Sequence, residues 1–324
     1  MKRLNTFFKI MLITLSVGAV SAAWSQAYPN KPLKIVVPFG AGGVADLTAR
    51  TVAQKLGENL GQSIVIENKP GAGGVVATDA VAKSSPDGYT LLLMSNATAV
   101  SAGLFKTLPY DAEKDLLPVS ILGTFDIAIV VSQESKFASL ADLLSYAKAN
   151  PGKLNIGSIN VGSTQNLAAE LFKSTAGIDA QVVPFNGTPA VLTALRGGQI
   201  DVGVEILAPV LPQIKGQALR ALAVTGDKRA AALPQVPTAK EAGVKTLYAA
   251  SWNALAVPAK TPRDIVQRLN QEIQNALNAP DVRKKLTDMN VDPQPSSLQQ
   301  AADLLNSETK RWGDVIQRAG IAKQ

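Results

Sequence analysis

Apolar positions along this chain follow two rhythms that take turns. Short continuous runs such as LKIVV (33–37) and YTLLLM (89–94) alternate with longer stretches in which apolar residues recur at helical spacing. The first rhythm predicts strands at 33–37, 63–67 and 89–94, the second of them a buried strand. The second rhythm predicts helices at 44–60 and from the glycines at 71–74 to about Lys83, with a turn at Pro86-Asp87-Gly88. The middle of the chain repeats the order. Strands are expected at 127–131, 154–156, 180–185, 200–205 and 219–225, helices at 140–149 and 164–175, and short helices between the later strands. A last strand at 255–257 precedes helices at about 262–278, 280–289 and 297–318.

Strands alternating with helices predict an α/β protein built on a parallel sheet with helices on both faces. The chain is long enough for two such units. The pattern divides it into 28–125, an inserted unit 126–250, and a return segment 251–324 whose helices pack onto the first unit. A ligand cleft is then expected between the two sheets, outside the carboxyl ends of the strands.

The first 27 residues are read separately. Lys2, Arg3 and Lys9 lead into an apolar run at 10–20, and small residues end in Ser25-Gln26-Ala27. That order predicts a secretory signal peptide cut after Ala27, with an apolar run shorter than the roughly 20 residues a bilayer span needs. Export changes the charge balance too. The whole chain carries +7, but removing three basic residues leaves 29 basic against 25 acidic, a net +4. These charges are scattered, whereas nucleic-acid binding calls for a concentrated basic patch, so no nucleic-acid partner is expected.

Candidate chemistry is narrowed by what is missing. The sequence contains no histidine and no cysteine, which removes the common zinc sites, histidine triads, thiol nucleophiles and disulfides. No metal and no cofactor is expected, and no G-x-S-x-G elbow suggests a hydrolase. What remains is glycine. GAGGV occurs at 40–44 and again at 71–75, each time where a strand hands over to a helix, and a third loop of that form runs Ser158-Ile159-Asn160-Val161-Gly162-Ser163-Thr164. Helix N-termini leave unpaired N–H groups and a partial positive charge, so they accept anions of any chemistry. None of the three loops contains Arg or Lys, so an anion there would be held by backbone amides and hydroxyls. Taken singly, each loop also has the form of an ordinary tight βα turn. Gly40-x-Gly42-x-x-Ala45 matches a dinucleotide fingerprint as well, with Glu67 as the ribose acid. However, Glu67 lies 27 residues after Gly40 against a usual spacing of about 20.

The order of longer motifs resembles one known family. YPNKPLKIVVPFGAGGVAD (28–46), IVIENKPGAGG (64–74), DGYTLLL (87–93) and LPYDAEKDLLPVS (108–120) are followed by ANPGKLNIGS (149–158). LRALAVTGDKRAAALPQVPTAKEAG (219–243) and RWGDVIQRAGI (311–321) complete the series. Over nearly the whole mature length the chain resembles the Bug family, the solute-binding proteins of tripartite tricarboxylate transporters. The resemblance implies a two-domain Venus-flytrap of the type II periplasmic binding protein fold, a periplasmic location, and capture of a small carboxylate without catalysis. It also implies delivery to a two-component membrane permease by a monomeric shuttle. A ligand-sensing subunit for a membrane sensor would share the fold, and the nucleotide-binding enzyme is the remaining alternative.

Carried over residue by residue, the resemblance places one carboxylate between two loops. The first is Phe39, Gly40, Ala41, Gly42 and Gly43. The second is Ser158, Asn160, Gly162, Ser163, Thr164, Gln165 and Asn166. Gly73 and Gly74, with Phe185, Asn186, Gly187 and Thr188, would complete the wall. The family's first loop usually reads P-F-P-P-G-G, whereas Gly40-Ala41 stands here. The third strand of the inserted unit commonly ends in Asp-Asn, whereas here it ends in Glu205-Ile206. Glu205 is therefore expected either to meet a ligand hydroxyl or amine or to tie down a neighbouring backbone N–H. Asp46 is expected to cap the first helix, and Trp252 to pack where the chain returns to the first unit.

Overall fold

The computed structural model describes residues 28–159 and 161–323. The expected signal segment and Asn160 lie outside the described residues. Ten strands form one continuous curled sheet in the order β2-β1-β3-β9-β4-β7-β5-β6, with β8 and β10 paired to β4. The strands are β1 Leu33–Val37, β2 Ile64–Asn68, β3 Thr90–Ser95, β4 Leu116–Ser132 and β5 Leu154–Ile159. They continue with β6 Ala180–Phe185, β7 Val202–Ile206, β8 Leu219–Val224, β9 Ala250–Pro258 and β10 Asp292–Pro293.

Strand β4 organises the molecule. Its first part, from Leu116 to Asp126, pairs antiparallel with β9, and its last part, from Ile127 to Ser132, pairs with β7 and β8. One lobe is built on the first set of pairings and the second lobe on the other. Within each lobe the outer strands are parallel, β2-β1-β3 in the first and β7-β5-β6 in the second. The sheet is therefore mixed, not parallel throughout as expected. Strand β4 passes from one lobe into the other and β9 resumes the first lobe beside it, and both run antiparallel to their neighbours because neither is joined to them by a crossover helix.

Three strand expectations change for identifiable reasons. Residues 127–131 are only the end of β4. Pro118 and Gly123 lie upstream, and both coincide with register shifts against β9, so bulges absorb what looks like a break. Residues 255–257 are likewise only the second half of β9. The run at 63–67 is an edge strand with partly exposed side chains, Val65 being 56% exposed, and it is not buried.

Helices α1 Val44–Leu60, α2 Val75–Ala82, α3 Asn96–Leu104 and α4 Ala112–Asp115 belong to the first segment. In the second lobe lie α5 Leu140–Ala149, α6 Thr164–Ala176, α7 Thr188–Arg196 and α8 Leu207–Lys215. The chain ends with α9 Arg263–Asn278, α10 Pro280–Asp288 and α11 Leu298–Arg318. Helix α3 is absent from the sequence expectation. Its NATAVSAGL sequence interleaves alanine with Asn, Thr, Val, Ser and Gly, which are weak helix formers, and the Ser95 hydroxyl, which accepts the Ala97 N–H at 3.2 Å, starts it.

One apolar cluster is shared between the lobes, joining Val36, Leu92 and Met94 to Phe172, Trp252 and Trp312. A second packs α1, α9 and α10 on the opposite face of the first lobe, and a third packs α7 and α8 on the second. Helix α11 lies on α3 and β4 and also reaches α6, so the C-terminal helix contacts both lobes.

Candidate functional site

A cleft of about 780 Å³ opens between the lobes. Five helices start at its walls: α1 and α3 from the first lobe, α6, α7 and α8 from the second. Among the expected residues, Phe39, Gly42, Gly43, Ser163, Thr164, Gln165 and Thr188 line it. Gly40 and Ala41 are exposed and are not among the lining residues, and Asn186 is exposed too. Gly73, Gly74, Ser158, Gly162, Asn166, Phe185, Gly187 and Glu205 stand behind or beside the lining. The space at Gly74 is bounded by Pro38 and Ala97, which places the second glycine loop against the start of α3.

The two principal loops are built alike. Gly42 has φ of +84° and Gly162 φ of +80°, a region glycine enters without a Cβ penalty. The Gly42 N–H donates to Asp46 Oδ2 at 2.9 Å, and the Gly162 N–H donates to Asn166 Oδ1 at 3.1 Å. Each loop then enters its helix one residue later, through Gly43 or Ser163. The Ser163 hydroxyl accepts the Asn166 N–H at 3.1 Å. With those N–H groups occupied, the first-turn residues of α1 and α6 that line the cleft are Val44 and Ala45 on one side and Thr164 and Gln165 on the other, and first-turn N–H groups have no intrahelical acceptor.

Asp46 therefore pins a loop and does not cap its helix. Its carboxylate also accepts Arg50 Nε and Asn68 Nδ2, both at 2.9 Å, while Asn68 donates to the Phe39 carbonyl at 3.0 Å. Burial pushes this acid up, but the bonds from Arg50, Gly42 and Asn68 outweigh it and hold Asp46 at about 2. The Asp46–Arg50 pair leaves the loop without net charge, so the helix end keeps its attraction for an anion. In the second lobe a neutral Asn166 does the same work, anchored on the Ser158 hydroxyl at 3.3 Å.

Glu205 lies fully buried behind the lining, and its partner is a side-chain hydroxyl and not the neighbouring backbone N–H that one expectation gave it. Thr188 Oγ1 donates to its Oε2 at 2.8 Å, and Oε1 has no partner. Burial raises its carboxyl to about 7, with Thr188 and the nearby Gln165 amide pulling the other way. Glu67, the acid of the dinucleotide reading, is tied to Lys34 at 3.0 Å and Lys69 at 3.3 Å and is not part of the lining. Trp252 is buried on β9, while its neighbours Ser251 and Asn253 face the cleft.

Several lining residues escape sequence reasoning. Ser95 and Asn253 are cross-strand partners on β3 and β9, which are antiparallel neighbours far apart in sequence. Asn253 is fully buried, and its Oδ1 has no partner. Lys215 comes from the last turn of α8. The polar interruption SWN ahead of an apolar run is the available signal for Asn253. Lys215 gives none, because a lysine at a helix end is ordinary.

A family model described as the tripartite tricarboxylate transporter family receptor matches residues 48–321. Protein BugT of Bordetella pertussis is 34% identical over 322 residues, covering 99% of this chain and 98% of its own. A solved R. palustris protein with adipate is 34% identical with a TM-score of 0.82, covering 92% of this chain and 100% of that one. Another from Rhodopseudomonas palustris, MatC with bound malate, is 32% identical with a TM-score of 0.77, covering 89% and 100%.

Proposed function

The chain belongs to the tripartite tricarboxylate transporter receptor family, and from that premise we propose that it captures a small carboxylate between its lobes in the periplasm for a two-component membrane permease. One observation carries the reading. Val44 and Ala45 line the same cleft as Thr164 and Gln165, first-turn residues of helices from opposite lobes whose N–H groups have no intrahelical acceptor. The lobes are 28–125 with 251–324, and 126–250, an assignment supported by β4 changing partners between Asp126 and Ile127.

A carboxylate held this way contacts Gly43, Ser163, Thr164 and Thr188 and bridges the lobes, so its binding favours the closed arrangement. Backbone dipoles and hydroxyls hold an anion more loosely than a buried guanidinium does, which suits a protein that hands its cargo on. The protein acts as a receptor and performs no covalent chemistry. The adipate and malate found in the two related structures support a carboxylate cargo. Among the described residues, no helix is long and apolar enough to cross a membrane.

The test is a thermal-shift screen against di- and tricarboxylates, acidic amino acids and aromatic acids, with NAD as a control. A ligand at a hundred times Kd adds about 2.7 kcal/mol, raising the melting point by several degrees. Stabilisation by carboxylates and not by NAD is expected. A shift produced by NAD alone overturns the reading.

A further inference from the structure

The cleft is much larger than a C4 acid requires, and much of its lining is apolar. Its volume of about 780 Å³ falls in the upper part of the ~300–1,000 Å³ range typical of drug-sized ligands. Closure has little room left to shrink it, because the lobes already meet beside the site. A Cβ on Gly162 would collide with Leu104 of the first lobe.

Helix α8 runs along one wall. Ala208, Leu211, Pro212 and Lys215 face the cleft at helical spacing, so its exposed face leads from the hinge side, where Ile206 pairs with Ile127, to a terminal ammonium. At 1.5 Å per residue, Ala208 and Lys215 are about 10 Å apart along the axis. Apolar side chains line the cleft from both lobes, Phe39, Leu47 and Phe125 from one and Ile159, Pro209 and Leu211 from the other. Leu47 is 40% exposed, although it lies on α1 beside the anion-accepting helix end. An exposed leucine inside a cleft is surface waiting for an apolar cover.

Lys215 is the one Lys or Arg among the described lining residues, and it forms no ion pair there. The one lining acid, Asp288, is already paired with Lys284 at 2.7 Å. A cation without an acidic partner thus stands at the far end of α8 from Ala208, in the same cleft as the helix N-termini.

Resting on the carboxylate reading, we propose that the cargo is a dicarboxylate with an apolar body, an aromatic ring or a medium-length hydrocarbon chain. One carboxylate lies on the Val44, Ala45, Thr164 and Gln165 amides, the body lies against Leu47, Phe125 and Leu211, and the second carboxylate meets Lys215.

Calorimetric titration of the purified chain with matched acids tests this: benzoate against terephthalate, octanoate against suberate, and succinate and malate as short acids. Terephthalate or suberate is expected to bind tightest. Lys215→Met, which keeps the apolar stem, is expected to weaken the dicarboxylates about fivefold and leave the monocarboxylates within twofold. Added salt should narrow the wild-type preference in the same direction. Tightest binding by succinate or malate overturns the substrate class and leaves the carboxylate reading standing. Equal effects of Lys215→Met on mono- and dicarboxylates, or none, overturn the role of Lys215. Failure of every acid to bind removes the carboxylate reading itself.

Discussion

Asp46 and Asn166 hold corresponding positions in the two walls of the cleft, each accepting the N–H of the positive-φ glycine four residues before it. One is a buried ion paired to Arg50, the other a neutral amide. The two loops should therefore fail differently.

Asp46→Ala removes the acceptor for Gly42, Arg50 and Asn68 at once. A loss of about 2–3 kcal/mol is expected from urea unfolding at pH 7, within the range for a buried, hydrogen-bonded group. Ligand affinity should fall with it, because the loop that aims Val44 and Ala45 is released. Asp46 is held below its ordinary value, so its contribution is present above the usual carboxylate range and lost as pH falls toward 2. Asn166→Ala should weaken binding without altering the acid limb of the stability profile. Identical acid limbs for Asp46→Ala and wild type would refute the assignment.

Glu205 has the opposite sign. Its folded value near 7 lies above the ordinary glutamate value, so its contribution is complete below about pH 4.5 and disappears as pH rises through 7. Glu205→Gln keeps the shape and removes the ionisation. The variant should be more stable than wild type at pH 8, by on the order of 3 kcal/mol, with a flatter profile between pH 5 and 7. Melting curves across that interval decide it, and an unchanged slope counts against the buried acid.

Gly162 tests how closely the lobes meet. Gly162→Ala places a methyl group against Leu104 and a Cβ on a residue with φ of +80°. A cost of about 1–3 kcal/mol is expected. In a double-mutant cycle with Leu104→Ala the steric part should be recovered and the backbone part retained. Strict additivity would mean that the two residues do not touch in solution.

Asn253 offers a separation of stability from binding. Its Oδ1 is buried without a partner at the cleft floor, an expensive arrangement for a residue with only a structural role. Asn253→Leu should change unfolding free energy by no more than about 1 kcal/mol, and it should reduce ligand affinity about tenfold. Unaltered affinity would assign Asn253 to the frame of the sheet alone.

Local features of this fold were readable from sequence, and long-range ones were not. Helix α1 begins and ends where the glycines and apolar spacing indicate, and the loops at 39–43 and 158–164 meet at one cleft. Gly42, Ser163 and Thr188 line that cleft because a βα turn carries its own signature. The Ser95–Asn253 pairing has no local trace, since it depends on β9 inserting antiparallel between β3 and β4. The full length of β4 was hidden by Pro118 and Gly123, which punctuate most chains but form bulges in this one. Asp46 looked like a cap because its partners Arg50 and Asn68 are 4 and 22 residues away, and only the folded chain brings all three together.

Strand β4 runs for 17 residues through both halves of the molecule, with β9 beside it as the chain returns. A molecule joined by hydrogen-bonded ribbon opens by flexing it, and a flexed ribbon pulls back. The empty halves do not wander in search of each other, and most of the orientational entropy of bringing two walls together has already been lost during folding. An arriving ligand meets surfaces that are nearly in register, so its own contacts are left to select between cargoes and not to assemble the container.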